Sequence, residues 1–309
     1  MAKQSANQFD IVIAGGGMAG STLAWALLQA RPELQIAIIE QQKETISPVS
    51  FDSRSIALAR ASAQLLEQWG LWAELKHHAC AIETIHVSDR GHFGKTRLTA
   101  EEYLQDALGY VIEVEHIGAL LTQKLQQKNN VTWFSPNTIT QLNPSETAQN
   151  LLLHDGTELS CSLLLIAEGG MSPTRNLAGF NVTEQPYQQS AVIANLALAQ
   201  QHQHIAYERF TEHGPIALLP LSQDRYSLVF TTTAEHAAEL MQQTDSEFLA
   251  SVQQAFGYRA GIFATSGSRA SYPLVLRRCD SSVRHRTALL GNSLHNLHPI
   301  AGQGFNLAL

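Results

Sequence analysis

Apolar positions along this chain come in two textures. From Phe9 to Ala14, and again through LQIAIIE at 34–40, they are almost continuous, the pattern of strands covered on both faces of a parallel sheet. Between these runs, Gly20 to Ala30 carries apolar residues at helical spacing and gives way to Arg31-Pro32-Glu33, which predicts strand, helix and strand in succession. The continuous texture returns at Leu163–Ala167 and Thr287–Leu290. From 180 to 275 it is replaced by short runs with hairpin-like spacing: SAVIANLA, IAYERF, PIALLPL and RYSLVFT, with SRASYPLV further on. One or two helices are expected over Ala234 to Phe256, and AIETIHVSD (81–89) is expected to join the same sheet. FDSRSIALA (51–59) leads into a helical pattern through Leu65, Leu66 and Trp69. The whole predicts an α/β fold in which a mostly antiparallel sheet is inserted into a parallel one.

Charge and composition narrow this picture at three points. Ile11 to Ala30 is uncharged and about as long as a membrane span. Gly15, Gly16, Gly17 and Gly20 interrupt it, so a buried strand and helix are the better reading than a span or a signal peptide. The net charge of -7 argues against nucleic acid as a partner, since phosphate binding needs a basic surface. Cys80, Cys161 and Cys279 are far apart and odd in number, which excludes a disulfide framework and a CxxC redox motif and favours a reducing cytoplasm.

Candidate chemistry sits where the apolar strands end. The first strand runs into Gly15, Gly17 and Gly20 in a G-x-G-x-x-G turn, and the second ends at Glu40. In a Rossmann-like βαβ unit the first glycine permits the tight turn and the second lets the backbone approach a pyrophosphate. The third lets helix and strand pack closely, while the acid faces a ribose diol. The helix N-terminus adds free N–H groups and a positive dipole end. By itself this motif does not separate NAD from FAD. The later strands end in Glu168-Gly169 and in Gly291-Asn292; strand ends of a parallel sheet share one ligand crevice, so these groups converge with the first. Arg54 is a candidate for meeting the pyrophosphate, with a surface salt bridge as the plainer alternative. His295 and His298 are three apart, but Pro299 breaks any helix that would align them and no acid or thiol completes a set, so no metal site is expected. No Ser-His-Asp or Cys-His signature appears, and no catalytic residue is assigned.

Taken together, GGGMAG, FDSRSIALA, AEGGMSPTR and GNSLHNLHPIAGQGFNLAL resemble the FAD-dependent aromatic hydroxylases, the para-hydroxybenzoate-hydroxylase-like monooxygenases. HVSDRGHFG, AVIANLA and ERFTEHGPIALLPL are most similar to their ubiquinone-biosynthesis branch. The resemblance implies an FAD-dependent monooxygenase that uses O2 and NAD(P)H to hydroxylate a polyprenylated phenol. Its FAD-binding domain would be discontinuous (1–80, 100–180 and 276–309), with a substrate-binding sheet domain at 81–99 and 181–275. Gly15, Gly17 and Gly20 would bind the ADP part, Glu40 the ribose, and Arg54 the phosphate or flavin region. Glu168 and Gly169 stand where the family has Asp-Gly, with Ser172 and Arg175 matching its following Ser and Arg; Gly291 and Asn292 stand where most relatives have Gly-Asp at the ribityl chain. Pro299, Gly302, Gln303 and Gly304 match the loop beside the flavin ring, and Asn306 opens the helix whose N-terminus faces that ring. Implied partners are the prenylated phenol, O2 and other ubiquinone-biosynthesis proteins, with peripheral contact at the inner membrane of a cytoplasmic protein. Ile216, Leu218, Leu219 and Phe230 would suit an aromatic ring with a prenyl tail, although sheet core is the plainer reading of each.

Glu168 is one methylene longer than Asp, Asn292 is uncharged, and Glu113 stands where many relatives carry Arg or Gln facing the flavin. These departures bear on contact geometry and reductant use. The family's further C-terminal helices are missing from the sequence, so the 309-residue form is expected to be truncated and to hold FAD weakly or not at all. Two alternatives remain: another flavin oxidoreductase, or a non-catalytic scaffold of a biosynthetic assembly.

Overall fold

The computed structural model describes residues 7–43 and 49–309, and the two textures of the sequence become two large sheets with a small one between their strands in chain order. The eight-stranded sheet has a parallel centre, in the order Thr287–Leu289, Glu158–Ile166, Gln8–Ala14, Ile36–Ile39 and Val131–Phe134. Gln149–Leu153 and Ile139–Pro144 extend Glu158–Ile166 as an antiparallel meander. The unbroken apolar runs follow from burial on both faces. Ile11, Ile13, Ile36 and Ile38 meet Leu28 and Leu121 of the helices Met18–Ala30 and Val114–Gln126. Their sequence neighbours Val12, Ala37 and Ile39 pack the other way, against Leu151 and Leu153.

The nine-stranded sheet runs His295–Asn296, Ala270–Cys279, Val182–Leu198, Arg225–Thr233, Ile216–Leu221, Ile205–Phe210, Thr84–Asp89 and Lys95–Thr99, with Phe263–Ser266 also paired to Val182–Leu198. Every pairing is antiparallel except Ile205–Phe210 with Thr84–Asp89. Helices Ala234–Gln242 and Asp245–Phe256 cover one face. Thr233 caps the first, and Thr244 with Glu247 forms a capping box on the second, which satisfies N–H groups the helices leave open. Leu240, Phe248 and Phe256 of the helices pack onto Tyr226 and Leu228 of the sheet.

Three expectations need adjustment. The segment 81–89 divides: Cys80–Ile82 pairs with Gly109–Glu113 in a three-stranded sheet completed by Ser55–Ala59, and only Thr84–Asp89 enters the large sheet. Ile216, Leu218 and Phe230 belong to the core under the helices, so alternation of the strand turns them away from any substrate; Leu219 alone lies on the opposite face, near Ile82 and Val111. The segment from Asn306 forms hydrogen-bonded turns and no α-helix, because so short a stretch does not recover the cost of helix nucleation. The uncharged run Ile11–Ala30 is strand, turn and helix, and among the described residues no helix is long and apolar enough to cross a membrane.

Candidate active site

Register brings the strand ends together. Ala14 lies opposite both Ile39 and Ile166, and Ile166 opposite Leu289. The residues that follow therefore emerge in one row, fastened by the Gly15 N–H to Ile39 O (2.8 Å), Ala167 N–H to Ala14 O (2.7 Å) and Leu290 N–H to Ile166 O (2.9 Å). This edge carries Gly15, Glu40, Glu168, Gly169, Gly291 and Asn292.

Within the glycine turn each position has its own reason. Gly15 has φ +102°, and a Cβ there would stand 2.6 Å from the Ala167 carbonyl oxygen. A Cβ on Gly20 would stand 1.9 Å from the Gly15 carbonyl oxygen. Packing explains both. Gly17 differs: its φ of -67° is open to any residue, and a Cβ would meet no protein atom within 4 Å. It is the N-cap of Met18–Ala30, with no side-chain cap and no acid in the first turn. Nothing inside the protein requires glycine there, while a helix terminus with open N–H groups faces free space. Glu40 braces the turn, accepting from the Gly16 N–H at 2.8 Å and from the Gln42 N–H at 2.9 Å.

Glu168 points elsewhere. Its carboxylate accepts from the hydroxyls of Ser172 (2.5 Å) and Thr174 (2.6 Å) and from the Thr174 N–H (3.1 Å), at the start of the helix Pro173–Leu177. Buried Arg175 donates to the Ser293 carbonyl at 3.1 Å, and the Ser293 hydroxyl accepts from the Gly169 N–H at 3.0 Å. These side chains latch one strand-end loop to the next, and Asn292 beside the latch is exposed.

The loop 51–54 is clamped to the nine-stranded sheet. Asn195 Nδ2 donates to the carbonyls of Phe51 and Ser53 at 2.7 and 2.8 Å. The Ser268 N–H and hydroxyl donate to the Asp52 carboxylate at 2.7 and 2.8 Å. Arg225 donates to Phe51 O at 3.2 Å and to Glu113 Oε1 at 2.7 Å. The Glu113–Arg225 pair is almost wholly buried, so the acid that departs from the family pattern is neutralised from the sheet and is not aimed at a ligand. Arg54 itself is exposed and has no ion-pair partner among the described residues. Neither Asn195 nor Arg225 was visible in the sequence pattern; Glu113, an acid closing the apolar strand GYVIE much as Glu40 closes its own, was the one available signal.

Pro299 starts a 3-10 turn over Ile300–Gly302. Gly302 takes φ +61° and comes so near the small sheet that a Cβ would stand 3.4 Å from Ala57 Cβ. Gln303 and Gly304 follow, both exposed. The Asn306 amide is spent inside the protein: Oδ1 accepts from the Ala59 N–H (2.9 Å) and the Ser62 hydroxyl (2.8 Å), and Nδ2 donates to Ala57 O (2.9 Å). It ties the last loop to the first turn of helix Arg60–Gln68.

His298 packs edge-on to Tyr187 and accepts from the Ile300 N–H. The closest approach to a metal set among the described residues is elsewhere: Cys80, His202 and His204. His202 Nδ1 accepts from the His204 N–H at 3.0 Å, so its Nε2 carries the proton and donates to Leu221 O at 2.8 Å. His204 Nδ1 likewise points at Ala81 O, 3.2 Å away, and burial pushes the Cys80 thiol up to about 12. The trio is a hydrogen-bonded joint whose facing atoms are protonated. Cys80 and Cys161 are buried, Cys279 partly so, and all three are free.

Comparison with known proteins bears on the same edge. The FAD binding domain family matches residues 8–309. The ubiquinone hydroxylase UbiL of Rhodospirillum rubrum is 31% identical over 306 residues, covering 97% of this chain and 70% of that protein. The mitochondrial ubiquinone biosynthesis monooxygenase COQ6 of Danio rerio is 30% identical over 351 residues, covering 97% and 72%. Among solved structures, pqsL of Pseudomonas aeruginosa, a probable FAD-dependent monooxygenase, superposes with a TM-score of 0.81 at 25% identity, over 98% of this chain and 83% of that one. A dinucleotide-binding family is what the open glycine turn calls for, and this chain belongs to the FAD-dependent aromatic-ring monooxygenases.

Proposed function

We propose that this protein hydroxylates the ring of a prenylated phenol in ubiquinone biosynthesis, with O2 and NAD(P)H as co-substrates. The observation that carries the reading is the uncapped N-terminus at Gly17, open to a ligand on the same strand-end row as Gly291. The residues fit FAD. Gly17 would receive the pyrophosphate in a turn that Gly15 and Gly20 shape for the ADP part, Glu40 the ribose, Arg54 a phosphate or the flavin region, Gly291 and Asn292 the ribityl chain, and Pro299, Gly302, Gln303 and Gly304 the flavin ring. Glu168 and Asn306 act on the loops that shape this cradle, and Gly169 is held by Ser293. Bound and reduced, FAD supplies the activation of dioxygen and the oxygen transfer. Backbone N–H groups between Gly302 and Asn306 are suited to holding negative charge on the ring.

For the substrate, register defines one row across the sheet face opposite the helices: Ala270, Ile193, Val229, Ala217, Glu208 and Val87. All are half-buried. Asn195 and Arg225 project from this same face to the 51–53 loop, so the row is turned toward the FAD-binding strands. Its aliphatic members suit a prenylated ring and exclude water, and Glu208 alone can hydrogen-bond a ring hydroxyl. On this reading 1–80, 100–180 and 276–309 form the FAD-binding unit and 81–99 with 181–275 the substrate unit. The test is anaerobic loading of purified protein with FAD, then product analysis after O2, NADPH and a short-tailed prenylphenol. A hydroxylated ring is expected from protein that has taken up FAD; FAD-loaded protein that oxidises NADPH without any phenol product refutes the proposal.

A further inference from the structure

The hairpin Thr84–Asp89/Lys95–Thr99 forms one edge of the nine-stranded sheet. Register places Arg97 opposite His86, which is beside Tyr207, and Lys95 opposite Ser88, which is beside Arg209. Tyr207 belongs to the core under the helices, so these side chains share the helix-bearing face and lie across the sheet from Glu208. Arg259, in the loop after helix Asp245–Phe256, joins them. Its Nη1 is 3.1 Å from His86 Nε2, and its carbonyl accepts from the Tyr207 hydroxyl at 3.1 Å. Arg90 stands at the hairpin turn.

Arg90, Lys95, Arg97, Arg209 and Arg259 have no carboxylate partner among the described residues. The nearby Asp89 is paired with His92 at 2.8 Å. In a chain of net charge -7, so many unpaired cations on one face are not a sampling of the average surface. The cluster also holds unfilled hydrogen-bonding capacity. His86 is 2% exposed and its Nδ1 has no partner; Arg209 Nε is buried and has none either. Burial first, then the positive field of Arg259, lowers the pKa of both His86 and Arg209. Unrelieved repulsion among these cations is a cost that an anion at the exposed Lys95, Arg97 and Arg259 side chains reduces.

A small dissolved anion leaves the apolar part of this face unexplained. Phe93, between Gly91 and Gly94 at the hairpin tip, is fully in solvent at 106% relative exposure, and Tyr258, beside Arg259, is 74% exposed. Cations interleaved with exposed aromatic rings match a bilayer surface. Headgroup phosphates meet the guanidinium and ammonium groups, while the rings sink to the boundary of the acyl region.

We propose that the 84–99 hairpin and the Tyr258–Arg259 loop form a docking face for an anionic phospholipid bilayer. The inference does not depend on the flavin reading; if that reading also holds, the face brings the enzyme to the phase that dissolves a prenylated substrate.

The test is flotation of the full chain with phosphatidylcholine vesicles, with and without phosphatidylglycerol. Binding is expected only with phosphatidylglycerol, and is lost at about 1 M salt, where the screening length falls to roughly 3 Å. Lys95→Gln/Arg97→Gln/Arg259→Gln weakens partitioning about fivefold for each cation removed, about a hundredfold in all. Phe93→Ser weakens it without changing its salt dependence. These side chains are exposed, and a melting temperature no lower than that of the wild type shows that each variant is folded. Equal binding to neutral and anionic vesicles, no binding to either, or wild-type binding by the folded triple variant overturns the proposal. So does a result in which inorganic phosphate raises the melting temperature of the wild type but not of the triple variant while vesicles are ignored, since the cluster would then serve a soluble phosphate.

Discussion

Alanine at Gly17 and alanine at Gly20 are the same chemical change three residues apart, and opposite outcomes are expected. At Gly20 the new Cβ would be 1.9 Å from the Gly15 carbonyl oxygen and 3.2 Å from Ile13 Cγ2. The obstacle is backbone, and it belongs to a residue already held in a left-handed conformation by its own packing against Ala167. Overpacking of this kind costs about 3 kcal/mol, and the better helix propensity of alanine returns roughly 1 kcal/mol. A net loss of about 2 kcal/mol lowers the melting temperature of the apoprotein by about 3 °C. At Gly17 the backbone is allowed for alanine and the Cβ has free space, so the apoprotein loses at most about 1 kcal/mol through a poorer N-cap. The penalty appears on binding, because the Cβ stands where a pyrophosphate must reach the open N–H groups. One charge-assisted hydrogen bond forfeited is worth about 1.5–3 kcal/mol, or roughly 10- to 100-fold in Kd. Flavin fluorescence quenching measures the Kd, and differential scanning calorimetry without flavin measures the melting temperature. A Gly17→Ala protein that binds FAD with unchanged Kd, or a Gly20→Ala apoprotein that melts with the wild type, refutes the division between ligand-facing and packing glycines.

Three further perturbations follow from the side-chain geometry. Arg225→Met strands the Glu113 carboxylate in a buried site and is expected to cost about 3–5 kcal/mol, while adding Glu113→Gln recovers much of it; urea unfolding of the double-mutant cycle measures the recovery, and simple additivity of the two losses contradicts the pairing. Asn306→Ala removes the bonds to Ala57, Ala59 and Ser62, so amide exchange at 57–62 is expected to quicken; weaker FAD binding with unchanged exchange would instead make Asn306 a cofactor ligand. Burial pushes the Glu208 carboxyl up from 4.5 to about 7. Between those values the folded state keeps a proton that the unfolded state has released, so this group's contribution to stability falls as pH rises through the window. Melting temperatures of wild type and Glu208→Gln are expected to diverge from pH 5 to pH 7.5 in favour of the variant, and parallel curves would show that the carboxyl is not so placed.

What was legible in the sequence was what local pattern encodes. Strands covered on both faces need apolar residues at every position, so Ile11–Ala14 and Ile36–Ile39 announced themselves, and the turn between them needed glycines at fixed offsets. Pattern is silent on which face of a strand is covered by what. Ile216, Leu218 and Phe230 satisfy an apolar face equally well under helices or over a ligand, and only the packing of Phe248 and Phe256 decides for the helices. Pairings distant in sequence were invisible for the same reason. Glu113 and Arg225 are 112 residues apart, and each alone reads as an ordinary charge. The cationic hairpin face was illegible because its members alternate with outward-facing residues on three strands and join a loop far along the chain.

Glu168 shows how a departure from family pattern acquires a physical meaning. At a strand end a short acid would remain beside its own backbone. The longer side chain reaches Ser172 and Thr174, which cap and open the helix Pro173–Leu177, and that helix presents Arg175 to the Ser293 carbonyl. Ser293 then closes the circuit by accepting from the Gly169 N–H. The acid thus acts on this strand-end edge through backbone geometry: it helps hold the Gly169 loop to the Ser293 loop, with exposed Asn292 beside the latch. An amide hydrogen-bonds a hydroxyl without bringing a charge, so the departure at 292 keeps hydrogen-bonding capacity without a carboxylate, whereas at 168 the carboxylate stays and is spent on the Ser172 and Thr174 donors of the latch.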